Sequence, residues 1–234
     1  MQTVRDIPIQ SRSVAGKIFS YKNNKLISYE SQLELAFIYH LEFTPNVKSY
    51  IEQPIKVYYK TGKRKIFFIP DFIVYYSDFH IKPLIVEIKY SQELQERKNY
   101  VKRKISILKS YADENNMNFR LITEKELLGN KLENYKFLYG YIPEPTHIIE
   151  FVELKQLIID FVKEKIRTTP KEVIDTLGES LEEKAKLLTL VWHLLANNIL
   201  TTDLNKPLTN NSLIGLNLSD TKNYNAVLFM INTI

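Results

Sequence analysis

Short apolar runs rich in β-branched and aromatic residues, separated by turn signals, dominate the first half of the chain. Gly16–Tyr21 and Lys25–Tyr29 flank Asn23-Asn24. Asparagine tolerates the positive φ of a tight turn, so this segment predicts a β-hairpin. Later runs of the same composition predict five further strands. These strands are expected at residues 55–59, 65–69, 70–76, 84–89 and 119–123.

Helical spacing of apolar residues replaces this pattern twice in the same region. Residues 30–43 place Leu33, Phe37 and Leu41 on one face and end before Pro45, and residues 91–115 predict a long charged helix. The strand at 119–123 is reached through that helix, so we expect it to lie parallel to the strand at 84–89. A series of strands between two helices, followed by a further strand, predicts an α/β fold with a mixed sheet flanked by helices.

The strand pattern fades after two closely spaced prolines, Pro143 and Pro145. Helices are expected at 148–166, from Thr169-Pro170 onward, and at 181–197. Two short runs after them, at 199–202 and 212–214, could pair as a ribbon. We therefore predict a larger α/β domain at 1–145 and a small, mainly helical, winged-helix-like domain at 146–234.

Composition excludes several classes of protein. The 234 residues include no cysteine, which rules out disulfides, thiol nucleophiles and cysteine zinc sites. The first residues lack the apolar stretch of a signal peptide, and no apolar run reaches the length of a membrane span. These features predict a cytoplasmic protein.

Positive charge is concentrated in the first domain. Residues 1–145 carry 23 Lys and Arg against 16 Asp and Glu, while residues 146–234 carry 9 against 11. An uneven basic charge favours a polyanionic partner such as DNA. Basic residues stand at an expected hairpin tip and along the helix that follows the strands. The candidate phosphate contacts are Lys63, Arg64, Lys65, Lys98 and Lys102; the alternative for them is a solvated surface.

Candidate chemistry lies at the ends of two neighbouring strands. Asp71 follows Pro70 at the start of one strand, and Glu87 and Lys89 end the next. Strand alternation places Glu87 and Lys89 on the same face, where antiparallel pairing would bring Asp71 beside them. Two carboxylates and a lysine suit a hard divalent cation that activates water against a phosphodiester.

Glu34 is a third candidate carboxylate with two interpretations. It lies on a helical row with apolar residues that face the core, which favours a functional acid. The segment Ser31-Gln32-Leu33-Glu34 also fits a capping box, in which the glutamate only satisfies a backbone donor. The pattern alone leaves both interpretations open.

Five motifs together resemble the TnsA family, the endonuclease subunits of heteromeric transposases of Tn-seven-type elements. They are Ser31-Gln32-Leu33-Glu34, Glu52-Gln53-Pro54, Pro70-Asp71-Phe72, Glu87-Ile88-Lys89 and Leu121-Ile122-Thr123-Glu124-Lys125-Glu126. The resemblance spans nearly the whole chain. It implies a restriction-endonuclease-like catalytic domain followed by a winged-helix-like domain.

The resemblance also implies roles for individual residues. Glu34 matches a catalytic acid carried on a helix, Asp71 the acid after the proline, and Glu87 and Lys89 the two ends of the Glu-x-Lys element. One or two Mg²⁺ ions, replaceable by Mn²⁺, would be held by Asp71, Glu87, the carbonyl of Ile88 and Glu34.

The implied reaction is cleavage of DNA at the 5′ ends of a transposon. The implied partners are a DDE-type transposase, which cuts the 3′ ends, and an AAA+ ATPase regulator. Two alternatives remain at this stage. One is a stand-alone restriction or repair nuclease of the same fold, and the other is a winged-helix DNA-binding regulator without catalytic activity.

Overall fold

The computed structural model of the chain describes residues 15–62, 64–96, 98–146 and 151–217. These residues fall into two compact units, one ending at Leu128 and the other beginning at Gly129. The predicted domain boundary at 145/146 lies inside the second unit. A mixed α/β architecture is present, as predicted, with a four-stranded mixed sheet at its centre.

The strands of the first unit are, in chain order, β1 Gly16–Ser20, β2 Lys25–Tyr29, β3 Val47–Glu52, β4 Val57–Thr61, β5 Arg64–Phe68, β6 Phe72–Tyr76, β7 Leu84–Ile88 and β8 Asn118–Ile122. Its helices are α1 Gln32–Glu42, α2 Ser91–Glu96, α3 Lys98–Glu114 and α4 Glu124–Leu127.

The N-terminal hairpin and first helix form where the sequence predicts them. β1 pairs antiparallel with β2, and Asn24 adopts the positive φ of 50° that the turn requires. The hydroxyl of Ser31 accepts a hydrogen bond from the backbone N–H of Glu34 at 3.1 Å, which caps the start of α1.

The central sheet has the order β3-β6-β7-β8. β6 pairs antiparallel with β3 and β7, whereas β8 lies parallel to β7, as predicted for a strand reached through a helix. All five residues of β7 are buried. The strand that ends in the candidate site is therefore held between two neighbours and shielded from water.

Two details of the predicted sheet are wrong. β3 was not predicted, because polar Lys48 and Ser49 interrupt its apolar residues and only pairing with β6 stabilises it as a strand. β4 and β5, which were predicted, form a separate two-stranded ribbon outside the central sheet. The inner face of this ribbon contributes Val57 and Phe68 to a core shared with α3 and the sheet.

The second unit is mainly helical. Its elements are α5 Asn130–Tyr139, α6 Phe151–Lys165, α7 Pro170–Leu177, α8 Leu181–Ala196, β9 Leu200–Thr201 and β10 Gly215–Leu216. Thr169 caps α7, with Pro170 in its first turn, as predicted. β10 lies just beyond the predicted run at 212–214 and pairs antiparallel with β9. The winged-helix assignment of this unit stays a prediction.

Helices α4 and α5 were absent from the prediction. α5 packs against α8, and Phe137 meets Trp192 edge to face with ring centroids 5.4 Å apart. Both helices of this contact belong to the second unit. No helix in the described ranges is long and apolar enough to cross a membrane.

Candidate active site

Asp71 is fixed to β7 by both its backbone and its side chain. Its N–H donates to the carbonyl of Val86 at 3.0 Å, and its Oδ2 accepts from the N–H of Ile88 at 2.5 Å. Asp71 precedes β6, so the antiparallel pairing of β6 with β7 brings it to the end of β7. The juxtaposition expected from the sequence is present.

Three oxygen atoms surround the ammonium group of Lys89. Its Nζ donates to the carbonyl of Ile88 at 2.7 Å and lies 3.1 Å from Glu87 Oε1 and 3.7 Å from Asp71 Oδ2. Asp71, Glu87 and the Ile88 carbonyl are the oxygen donors that the sequence nominated for a metal ion. These three oxygen atoms converge on the positively charged ammonium group of Lys89.

The electrostatics of this cluster favour a cation. Burial, followed by repulsion from Asp71, raises the pKa of Glu87 above its ordinary value, although Lys104 and Lys89 oppose the shift. Burial alone would lower the pKa of Lys89, but attraction by Asp71 and Glu87 raises that pKa overall. Two carboxylates in a water-poor site therefore require positive charge beside them.

Lys104 joins this cluster, although the sequence interpretation did not nominate it as a candidate site residue. Its Nζ lies 2.5 Å from Glu87 Oε1, and its side chain is only 12% exposed. Lys104 shares a helical face of α3 with the buried residues Val101 and Leu108. A lysine on the apolar stripe of an amphipathic helix was the signal that could have identified it.

Glu34 has features of both of its interpretations. Its carboxylate accepts from the N–H of Glu30 at 2.8 Å and from the hydroxyl of Ser31 at 3.0 Å, as a capping residue does. Burial and then the nearby charge of Asp71 raise its pKa. It also lines a cavity of about 140 Å³ together with Ile88 and Lys89. Glu34 therefore faces the cluster while it caps its own helix.

Gln53 supports Asp71 from the opposite side. It adopts a left-handed backbone conformation with φ of 40°, and its N–H donates to the carbonyl of Asp71 at 2.9 Å. Residues other than glycine and asparagine rarely adopt this backbone conformation. Strained residues of this kind occur preferentially at functional sites. Gln53, Asp71, Lys89 and Lys104 all line a second cavity, of about 330 Å³.

The donor set fits a hard divalent cation. In the described ranges, no three His, Asp or Glu side chains gather closely enough to hold a metal ion. Two carboxylates and one main-chain carbonyl do converge, however, and oxygen donors of this kind suit Mg²⁺. Glu87 Oε2 is also buried without a hydrogen-bond partner among the described residues, and so leaves a lone pair for a ligand.

The candidate DNA-contacting residues lie on two exposed surfaces. Arg64 and Lys65 are exposed on β5, and Lys98 and Lys102 are exposed on α3. Lys63 lies outside the described residues. Their phosphate contacts stay a prediction.

Comparison with protein families adds an independent finding. The family model described as the N-terminal part of TnsA-like endonucleases matches residues 44–124, and that of the C-terminal part of the TnsA endonuclease matches residues 127–204. The chain belongs to the TnsA endonuclease family. No curated protein is similar enough to the chain to count as a match.

The TnsA family assignment agrees with the division of the fold. The N-terminal match contains Asp71, Glu87, Lys89 and Lys104, and the C-terminal match begins close to Gly129, where the second unit starts. Glu34 precedes the matched segment. The chain is thus a transposase endonuclease subunit of the TnsA type, which acts with a transposase on DNA.

Proposed function

We propose that this chain is a divalent-metal-dependent endonuclease that hydrolyses the phosphodiester bond at the 5′ ends of a transposon during cut-and-paste transposition. The observation that carries the proposal is the convergence of Asp71 Oδ2, Glu87 Oε1 and the Ile88 carbonyl around the ammonium group of Lys89. This donor set suits one or two Mg²⁺ ions, with Mn²⁺ as a substitute. Glu34 would supply a further oxygen.

Each side chain has a distinct part in the proposed reaction. A bound Mg²⁺ would polarise the phosphate and lower the pKa of the attacking water. Asp71 and Glu87 would hold the ion, because the hydrogen bond from Ile88 N–H fixes Asp71 and the ion pair with Lys104 fixes the buried carboxylate of Glu87. Lys89, whose pKa is raised, stays protonated and can orient the water or stabilise the charge that develops on the phosphate. The products are a 5′ phosphate and a 3′ hydroxyl.

The metal-binding role is tested by Asp71→Asn and Glu87→Gln, which remove charge and preserve shape. We expect nicking in Mg²⁺, measured with the partner subunits present, to fall by about a thousandfold or more. DNA affinity measured with a chelator and no divalent ion should not fall, because the acids do not contact phosphate directly. Asp113→Asn, an exposed carboxylate on α3, is the matched control. Near-normal nicking by either site variant would contradict the assignment of metal ligands.

The proposed partners are a DDE-type transposase that cuts and joins the 3′ ends and an AAA+ ATPase regulator. If the two cleavages are chemically independent, Asp71→Asn should stop the 5′ strand break and leave 3′ joining intact. Replication across the joined intermediate would then give co-integrates in place of simple insertions. Sequencing of the products decides the question, since simple insertions at normal frequency would rule out 5′ cleavage by this chain.

A further inference from the structure

The β4–β5 ribbon has two chemically different faces. In its register Val57 is paired with Phe68, and Tyr58 with Phe67. Val57 and Phe68 are buried, whereas Tyr58 and Phe67 are 54% and 46% exposed. Alternation along both strands places Tyr58 and Phe67 together on the outer face, with ring centroids 5.7 Å apart. Two neighbouring aromatic rings on a solvent-facing surface are a feature of binding surfaces.

The same outer face is strongly basic. By strand alternation Lys56, Lys60 and Lys65 share this face with the two rings, and residues 56–68 include no acid. Lys65 lies over the ring of Tyr58 at 4.4 Å, and Lys56 lies over that of Phe67 at 4.9 Å. Lys60 and Lys65 occupy directly opposite positions, where like charges destabilise a strand pair. A polyanion would relieve this repulsion.

This aromatic and basic face continues into the candidate active site. Phe67 lines the 330 Å³ cavity that also contains Asp71 and Lys89. Tyr100, on α3, lines the same cavity and meets Phe68 edge to face at 5.6 Å. A nucleic acid strand bound on the ribbon would therefore reach the proposed cleavage site directly.

We propose that the outer face of the β4–β5 ribbon binds unpaired nucleotides next to the cleaved bond. Bases stack on Tyr58 and Phe67 in place of the ammonium groups of Lys65 and Lys56 that lie over these rings, and Lys60 and Lys65 contact phosphates. Phosphate binding requires only the lysines, so the rings need a separate explanation. Aromatic side chains stack on base faces that become accessible where a duplex is open. The inference rests on the proposed function and adds that the DNA is opened at the cut.

The experiment compares two DNA probes of identical sequence, one a blunt duplex and the other with short unpaired arms at the cleavage position. Affinity for the full chain is measured in Ca²⁺ over a range of salt concentrations. Tyr58→Leu combined with Phe67→Leu should lower affinity for the forked probe by about tenfold. It should leave affinity for the duplex within about twofold and the salt slope unchanged.

Two further variants separate the contribution of the lysines to DNA binding from that of the aromatic rings. Lys60→Gln with Lys65→Gln should weaken binding of both probes equally and reduce the salt slope by about two units. Phe79→Leu is the matched aromatic control, because Phe79 is 86% exposed in the β6–β7 connection, and it should change neither affinity. Thermal unfolding checks that every variant is folded.

Equal losses on both probes, or no loss, in the Tyr58 and Phe67 variant would overturn the proposal. Intact DNA binding with lost binding to the transposase would identify the face as a protein interface and would also overturn it. A failure of the proposed function can be distinguished from a failure of this inference. Normal nicking by Asp71→Asn would contradict the proposed function and does not depend on the affinities measured with the forked probe.

Discussion

At the scale of single residues, the position of Lys89 is the feature that organises the site. Its ammonium group contacts the side chain of Glu87 and the carbonyl of Ile88 and lies near Asp71. Without that charge, two carboxylates would repel each other in a buried setting. The lysine thus stabilises the folded chain at the same point where the proposed metal ion would act.

Glu34→Gln separates catalysis from helix capping. Glutamine still accepts the hydrogen bond from Glu30 N–H but carries no charge. If Glu34 contributes to the metal site, we expect nicking to fall by about a hundredfold or more with little change in melting temperature. Glu114→Gln, an exposed residue at the end of α3, is the control. Normal nicking by Glu34→Gln would assign Glu34 to capping alone.

Lys104→Met tests the buried ion pair with Glu87. Methionine keeps the apolar stem on the inner face of α3 and removes the ammonium group. We expect the free energy of unfolding, measured in urea without metal, to fall by about 2–3 kcal/mol. This loss in the free energy of unfolding is smaller than the loss expected when a buried ion pair is fully broken, because Lys89 still contacts Glu87.

A second substitution and a control make the Lys104 result specific. Adding Glu87→Gln to Lys104→Met should recover part of the lost stability, since the uncompensated charge is gone. Lys109→Met, at an exposed position of the same helix, should have almost no effect. Fully additive effects of the two site substitutions would show that the pair does not couple.

At the scale of elements, helix α3 connects the core to the proposed DNA surface. Val101 and Leu108 face inward with Lys104, and Lys98 and Lys102 are exposed to solvent one turn apart. The inward face fixes the helix against β7 and β8. The exposed lysines are therefore held at a constant distance from Asp71 and Glu87.

Replacing Lys98 and Lys102 with alanine should weaken DNA binding equally for all sequences. Each lost phosphate contact should reduce the salt slope by about one unit. Binding isotherms at several salt concentrations, in Ca²⁺, measure both effects. Lys48→Ala, an exposed lysine on β3, serves as the control. An unchanged slope in the double variant would identify these lysines as a solvated surface.

At the scale of the whole molecule, the boundary between the two units can be tested with fragments that end at different residues. A fragment ending at residue 128 retains every residue of the proposed active site. One ending at residue 145 adds α5 without α8. Leu132, Tyr135 and Leu138 of α5, which are buried in the complete chain, would then be uncovered.

We expect the fragment ending at 145 to bind a hydrophobic fluorescent dye more strongly and to aggregate more readily than the one ending at 128. Both should unfold cooperatively, because the active-site unit has its own core. Dye fluorescence and thermal unfolding distinguish them. A shorter fragment that is unfolded while the longer one is stable would place the domain boundary at the two prolines.

Local chemistry was predictable wherever neighbours in sequence decide the conformation. Asn23-Asn24 predicted the first turn, Ser31 the start of α1, and Thr169-Pro170 the start of α7. Alternation along β7 was sufficient to place Glu87 and Lys89 on one face. These features depend on backbone sterics and short-range hydrogen bonds, which a few adjacent residues specify.

The sequence by itself determined most of the helices and strands, although not β3, α4 or α5. It also determined where the candidate acidic and basic residues lie along the chain and which family the motifs resemble. The tertiary structure decided that β3 joins β6, that β4 and β5 form a separate ribbon, that Lys104 reaches Glu87, and that α5 belongs with α8. Periodicity shows which face of an element is buried but not which element covers it. Pairing over long sequence separations depends on the packing of the whole chain, so only the folded structure reveals it.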